Sequence, residues 1–414
     1  MNSEEEPYIA IGTKYYKRIE MPMSSGKTIK KLVPWTKEAI IQDHGRKKLN
    51  DIPRLNGFCC IPDHLKYQRI IHNCYNEYEE LPFRPSFDYK NINELKRLIP
   101  NSLMFMEHIF GEQKEMGLDY IKILLEKPIQ KLPILCLVSK ERSTGKSTFI
   151  KWLRAIFGYN MTYIKGDSFS SAFNADWATK LLVAIDEVFF DKKDVTERLK
   201  YLSTTDRDKL EAKGIDRIEI EFFIKFILCS NNENDFIKID LEETRYWVRK
   251  IASLTKEDIN FFSKIQKEIP HFLAYLISRN YSTENKTRMW FTPEQLKTQA
   301  LINLKNNNNP DLIILEQLHE CFEKSDFEDI YIAPFDLEKM LKKQNYKSVI
   351  KAKEIRKILK KLGFKPEDNS KTYQGIELLS YGEYVQIDRK GRYYTINKTE
   401  FYNIYDALMQ NVYK

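Results

Sequence analysis

Short, unbroken apolar runs punctuate this otherwise highly charged chain, and three of them lead into groups that carry chemistry. Ile134-Leu135-Cys136-Leu137-Val138 is apolar throughout, which predicts a strand covered on both faces. Leu181-Leu182-Val183-Ala184-Ile185 reads the same way and ends in Asp186-Glu187, and Phe226-Ile227-Leu228-Cys229 ends in Ser230-Asn231-Asn232. Between the runs the period changes. Thr148–Leu153 and Asp194–Leu202 carry helical patterns, and Met161-Thr162-Tyr163-Ile164 reads as a further strand. Lys209–Ile220 alternates about Lys213-Gly214, as in a β-hairpin. Strands alternating with helices predict an α/β core over residues 132–305, of which 253–305 is helical.

The flanks read differently. Residues 1–90 lack strong periodicity and predict an irregular segment with some β-structure. Ile92, Leu95, Leu98, Ile99, Leu103, Met106, Ile109 and Phe110 recur at helical spacing, and Asp119–Leu125 continues the pattern. Residues 91–131 are thus expected to form a helical collar, for which packing without chemistry is an adequate account. Asn306-Asn307-Asn308-Asn309-Pro310 predicts a break and a domain boundary. Beyond it, 311–414 predicts a separate small domain. Two helices, Leu312–Phe322 and Phe335–Gln344, precede a third carrying Ile355, Ile358, Leu359 and Leu362 and stopping at Gly363. Two alternating runs follow, Tyr384–Ile387 and Arg392–Ile396, joined by Asp388-Arg389-Lys390-Gly391. Three helices and a basic hairpin are the outline of a winged helix.

Charge sharpens that outline. The chain carries a modest net +8, but the third helix is one-sided: Lys351, Lys353, Arg356, Lys357, Lys360, Lys361 and Lys365 stand against Glu354. Nucleic-acid contact is expected from Lys353, Arg356, Lys357 and Lys360, with Arg389 and Lys390 of the hairpin. A lysine-rich solvated face is the plainer alternative. No apolar run approaches the ~20 residues of a membrane span. The acidic start, Met1-Asn2-Ser3-Glu4-Glu5-Glu6, holds no secretory signal. Six scattered cysteines form no Cys-x-x-Cys pair, so a zinc site is not expected and a cytoplasmic setting is (the host cytoplasm, if the chain is viral).

The first apolar run opens onto Ser139-Lys140-Glu141-Arg142-Ser143-Thr144-Gly145-Lys146-Ser147-Thr148 and then a helix. Strand, tight loop, Gly-Lys-Ser and helix are the layout of a phosphate-binding loop. Ser143, Thr144, Gly145, Lys146, Ser147 and Thr148 are the candidate ATP cradle, with Lys146 on the β- and γ-phosphates. Ser147 and Asp186 are candidate Mg²⁺ ligands, and Glu187 the group that orients or deprotonates water. Asn231 could bond both the terminal phosphate and that water. Arg245 and Arg249 are candidates for an arginine supplied across a subunit boundary, with Arg245 preferred. Lys140 stands where this motif ordinarily has its first glycine.

Taken in order, these motifs resemble the superfamily 3 helicases, in the branch of viral and mobile-element primase-helicases. The resemblance implies a P-loop NTPase core of AAA+ type, a homo-hexameric ring with ATP at the subunit boundaries, and single-stranded or forked DNA as partner. It implies that Asn231 is the sensor, that Lys213 on the hairpin touches DNA, and that Arg245 acts in trans. Asn73-Cys74-Tyr75-Asn76 and the collar helices are similar to what precedes this core in the family. The first ~90 residues are too short for a separate polymerising domain, so a primase or polymerase is expected on another chain. The expected activity is ATP-driven DNA unwinding in phage or mobile-element replication. Two rival readings are an ATP-regulated replication initiator with little unwinding, and a remodeller that does not use DNA.

Overall fold

Residues 6–22, 28–171, 173–190, 193–212, 215–240, 242–254, 258–343, 350–380 and 382–413 are described by the computed structural model. The chain divides into two units. One comprises 1–232 with 245–297, and the other 233–244 with 298–414.

The first unit opens with strands β1 (Tyr8–Ile11), β2 (Lys14–Pro22) and β3 (Thr28–Trp35), helix α1 (Lys37–His44) and strand β4 (Arg54–Leu55). They form a sheet of order β3-β2-β1-β4. The irregular segment expected here is therefore a small folded lobe. Tyr8 and Ala10 on one face pack with Ile40 and Leu49, while Ile9 and Ile11 on the other pack with Leu55. Strands β5 (Gly57–Cys59), β6 (Ile70–Ile71) and β7 (Cys74–Asn76) make a second small sheet. Buried Asn76 pins it, accepting from the amides of Ile61 and Tyr78 and donating to the carbonyls of Ile61 and Gln68.

Helices α2 (Ile92–Leu98), α3 (Pro100–Phe110) and α4 (Lys114–Glu126) follow. Four donors at the start of α3, the amides of Asn101 and Ser102 and their side chains, converge on the buried Glu268 carboxylate. A carboxylate there satisfies orphan amides and the helix dipole together. Leu95, Phe105, Phe110, Ile121 and Leu124 share one core with Leu135, Trp152 and Trp247. These helices are therefore part of the central core.

That core is built on β8 (Ile134–Val138), α5 (Lys146–Phe157), β9 (Met161–Lys165), α6 (Gly166–Ser170), β10 (Leu182–Asp186), α7 (Lys193–Leu202), the pair β11 (Arg207–Ala212) and β12 (Ile215–Glu221), β13 (Lys225–Ser230) and β14 (Tyr246–Lys250). The five-stranded sheet has the order β14-β8-β13-β10-β9, and every pairing is parallel. All five residues of β8 are buried, as an apolar strand between helical layers must be. The strand carrying Asn231 thus lies between the loop-bearing strand and the Asp186 strand. Helices α8 (Phe261–Lys267), α9 (Ile269–Ser278) and α10 (Pro293–Leu296) close the unit.

The second unit holds α11 (Gln299–Asn307), α12 (Pro310–Glu323), β15 (Asp329–Ile332), α13 (Pro334–Lys343), α14 (Ala352–Lys361), β16 (Lys371–Leu378), β17 (Tyr384–Gly391), β18 (Tyr394–Asn397) and α15 (Lys398–Tyr413). The expected break at 306–310 is a helix junction inside this unit. Asn309 caps α12 through its side chain, and Pro310 occupies the first turn, where no amide partner is needed. The core expected to end at residue 305 accordingly gives way earlier, at Lys297.

The expected hairpin also changes register. Strand β16 pairs with β17 from Lys371↔Gly391 to Leu378↔Tyr384, and β18 pairs with β15 instead. Asp388–Gly391 is strand, not turn. The reason lies in Arg389, whose guanidinium binds the buried Asp336 carboxylate and Glu377, the latter at 3.0 Å. Its side chain crosses Gly375, where a Cβ would stand 2.6 Å from the Arg389 Cδ. Arg389, expected to contact DNA, is held inside the unit by this ion pair.

Candidate nucleotide site and basic helix

In a parallel α/β sheet, ligands collect beyond the carboxyl ends of the strands. The loop after β8, the Asp186-Glu187 pair after β10 and Asn231 after β13 all leave that edge. The loop between β8 and α5 makes its turn at Ser143 (φ 54°) and Gly145 (φ 86°). Lys140 does not adopt a positive φ. The glycine missing at 140 is therefore not needed for backbone freedom, and the left-handed positions fall on the residues just before Lys146.

The Lys146 side chain is buried, and its ammonium donates to the hydroxyls of Ser139 and, at 3.3 Å, Thr144. The Ser139 and Thr144 hydroxyls lie 3.2 Å apart. Ser147 is exposed at the first turn of α5, and Thr148 half-buried beside it. Two neighbours fix the loop from outside. Ile251 continues β14, its amide donating to Val138, and the Leu254 amide donates to the Ser143 carbonyl at 3.2 Å.

His108 is the residue that sequence reasoning passed over. From the last turn of α3 its Nε2 donates to the Thr144 carbonyl at 2.9 Å. Phe105, one turn earlier, lies 3.3 Å from where a Gly145 Cβ would be. The helix read as packing alone thus holds the loop. A histidine set within an apolar stripe was the available signal.

Asp186 and Glu187 are both exposed. The Glu187 backbone sits at φ 53°, and its amide donates to Asp186 Oδ1 at 2.9 Å. A non-glycine residue in the left-handed region costs about 1–2 kcal/mol and often marks a functional turn. Behind these groups the Cys229 thiol is pushed up by burial, pushed further by the Asp186 carboxylate, and drawn back by the Lys146 ammonium. Both charges therefore act on one point in the sheet. The Ser230 hydroxyl donates to the Val188 carbonyl and accepts from the Asn232 amide, which shapes the turn that exposes Asn231.

The two arginines separate clearly. Arg249 is buried at the loop end of β14, where it binds Glu112 at 2.7 Å and Gln113 at 2.8 Å. Gln113 also accepts from the Trp247 indole at 2.8 Å, so Arg249 belongs to a packed polar network. Arg245 lies at the opposite end, where its carbonyl accepts from the Ile134 amide and starts the β14–β8 pairing. It is not brought to the loop edge of its own chain.

The hairpin β11–β12 is anchored at two depths. The buried Lys131 ammonium donates to the carbonyls of Thr205 and Phe222 at its base, the latter at 2.6 Å. Buried Asn174 donates to the Lys209 carbonyl and accepts from the Glu211 amide. Lys213 and Gly214, read as the hairpin tip, lie outside the described residues.

In the second unit, α14 buries Ile355, Ile358 and Leu359 and exposes Lys353, Arg356, Lys357 and Lys360. Among the described residues no ion pair engages these four. Lys361 by contrast pairs with Asp311. Lys390 is exposed on β17, next to the engaged Arg389.

Ser147 and Asp186 supply hard oxygen donors of the kind Mg²⁺ takes. Among the described residues no cluster of three or more His, Cys, Asp or Glu side chains is arranged to hold a metal ion. A metal here would thus take two protein oxygens and complete its shell with phosphate and water. No described helix is long and apolar enough to cross a membrane.

Residues 137–250 match a family described as a family of unknown function, DUF5906. No curated protein matches the chain. Among solved structures, the apo C-terminal region of NrS-1 (305–718) superimposes with a TM-score of 0.56 at 14% identity, covering 95% of this chain and 97% of that one. An A-form apo structure of the same region gives 0.53 at 14% identity, with 94% and 96% covered. A ligand-bound JCV helicase aligns at 0.27 over 44% of this chain, too low to carry a shared fold. The chain has the fold of the NrS-1 C-terminal region along nearly its whole length.

Proposed function

We propose that this chain is the ATP-driven motor of a DNA helicase acting in phage or mobile-element replication. The observation that carries the reading is the meeting of Lys146, Asp186-Glu187 and Asn231 at the carboxyl edge of one all-parallel sheet. Lys146 would neutralise the β- and γ-phosphates of ATP, with the loop amides at the start of α5 binding their oxygens. Ser147 and Asp186 would hold Mg²⁺, which supplies charge neutralisation during phosphoryl transfer. Glu187 would orient and deprotonate the attacking water, and Asn231 would fix that water against the γ-phosphate. Arg245 would serve the neighbouring subunit of a ring, expected to be a hexamer. The hairpin carrying Lys213 would grip single-stranded DNA through its phosphates. Helix–strand–helix–helix–hairpin in 310–391 supports a winged helix, with α14 offered to duplex DNA.

Strand displacement on a forked duplex tests this. The wild-type chain should unwind with ATP and Mg²⁺, and Lys146→Ala should neither hydrolyse nor unwind. Glu187→Gln should bind ATP and stall. DNA-stimulated hydrolysis without strand displacement would transfer the reading to a replication initiator, and hydrolysis indifferent to DNA would end it.

A further inference from the structure

Almost all of the chain's net charge is concentrated in one part of the N-terminal lobe. Residues 14–54 contain eleven lysines and arginines against four carboxylates, a net +7 within a whole-chain +8. The fold gives this charge a definite shape. Strand β1 pairs only with Lys14–Lys17 of β2, so Arg18–Pro22 and their partners Thr28–Leu32 continue as a two-stranded ribbon. Lys30 and Lys31 stand exposed on its outer strand, β3, which is the edge of the sheet. At the root, Lys14 and Lys37 flank the half-buried pair Tyr15 and Trp35 and are also exposed, as are Arg46 and Lys47 on the turn after α1. Among the described residues none of these six cations is engaged in an ion pair.

We infer that the β2–β3 ribbon and its root form a second DNA-contacting surface that takes the phosphate backbone of duplex DNA. A two-stranded ribbon has the width that the major groove admits. From Lys30 to Trp35 the strand advances about 17 Å, which spans on the order of ten phosphates of both strands. Unpaired lysines at that spacing suit counter-ion release and read no sequence. Glu20, directly across from Lys30, is the one acidic side chain among the described residues of the ribbon. This surface lies on the unit that holds the P-loop and is separate in sequence from the basic helix α14, so it would give the motor a grip on the duplex that survives loss of α14. The inference rests on the proposed function only in taking DNA as the partner.

The test is the salt dependence of binding by the full chain to a short blunt duplex, read by fluorescence anisotropy from about 50 to 200 mM salt. Replacing Lys14, Lys30, Lys31 and Lys37 together by alanine should flatten the slope of log K against log salt by about 3 to 4. Glu20→Lys should steepen it by about 1, which keeps the test sound if removing edge lysines invites strand-to-strand association. Basal ATPase should be unchanged in both variants. Unchanged slopes in both, while wild type retains ATPase stimulated by single-stranded DNA, would overturn this inference alone. A wild-type chain that neither binds DNA nor hydrolyses ATP would instead overturn the motor reading. A single-stranded oligonucleotide run in parallel should show the smaller change, and an equal or larger one would overturn the assignment to duplex.

Discussion

Arg245→Ala is the most discriminating substitution, because the sheet dictates which active site it can reach. Tyr246, which follows it, pairs with Ile134 at the start of β8, and Lys250 pairs with Val138 at the end. Five residues of strand rise therefore put about 17 Å of sheet between Arg245 and the end of β8, where the loop begins. An arginine at the far edge cannot stabilise transferring phosphate in its own chain, so in the proposed ring Arg245 would act on a neighbour's site. An arginine finger contributes about 10³–10⁵ in kcat, and Arg245→Ala alone should lose hydrolysis to that extent. The assay is complementation with Lys146→Ala, which keeps the arginine and lacks the phosphate lysine. In a random one-to-one mixture, about one interface in four joins an intact loop to an intact arginine. About a quarter of wild-type ATPase should therefore return from two inactive proteins. No recovery at any ratio, with both variants shown to co-assemble, would refute the assignment. Arg249→Ala should show no such complementation, because Arg249 is spent on Glu112 and Gln113 within its own chain.

Lys131→Ala should leave basal ATPase intact and abolish stimulation by single-stranded DNA, since it frees the hairpin base from charge-assisted bonds worth about 1.5–3 kcal/mol each; stimulation unchanged in a parallel titration would contradict this. Lys140→Gly should leave the KM for ATP unchanged, whereas Gly145→Ala should raise it sharply, because alanine at φ 86° costs about 1–2 kcal/mol and its Cβ crowds Phe105. His64 is half-buried, its ring held between the Tyr78 hydroxyl and the Leu125 carbonyl, and desolvation lowers its pKa from 6.5 to about 4. Between those values the unfolded chain binds a proton that the folded chain refuses, so stability should fall as pH drops from 6.5 towards 4, by about 3 kcal/mol. His64→Gln should flatten that part of the thermal-melt profile against pH.

The parts of the fold that could be read from the sequence were those with one dominant period. The runs at 134–138, 182–186 and 226–230 are strands because each is apolar on both faces, as a covered parallel sheet demands. Their order in the sheet was not readable, since adjacency is decided by crossovers rather than by any local pattern. Strands β2 and β3 were missed because neither face is wholly buried. Lys-Tyr-Tyr-Lys-Arg-Ile has no clean alternation when its tyrosines and lysines are all part-covered or exposed. The misplaced hairpin has an electrostatic origin. Asp-Arg-Lys-Gly looks like a turn until a buried aspartate from another helix is available to neutralise the arginine, and Asp336 supplies that from fifty-three positions away. Arg249 likewise could only be ranked below Arg245, not set aside, until its partners on the 3-10 turn after α3 came into view.

The short stretch between β13 and β14 has a practical consequence for dissection of the protein. Residues 233–244 group with the C-terminal unit, with Phe236 and Ile237 buried and the Ile237 carbonyl accepting from Asn308. The polypeptide therefore crosses between units three times, and no single cut separates them. A truncation at residue 297 would strip this excursion of its packing and leave greasy side chains dangling from the first unit a few residues from Arg245. Loss of activity in such a fragment would report a damaged core as readily as a missing C-terminal unit. A sound deletion must splice out the excursion together with the tail, joining Asn232 to Arg245 through a short polar linker.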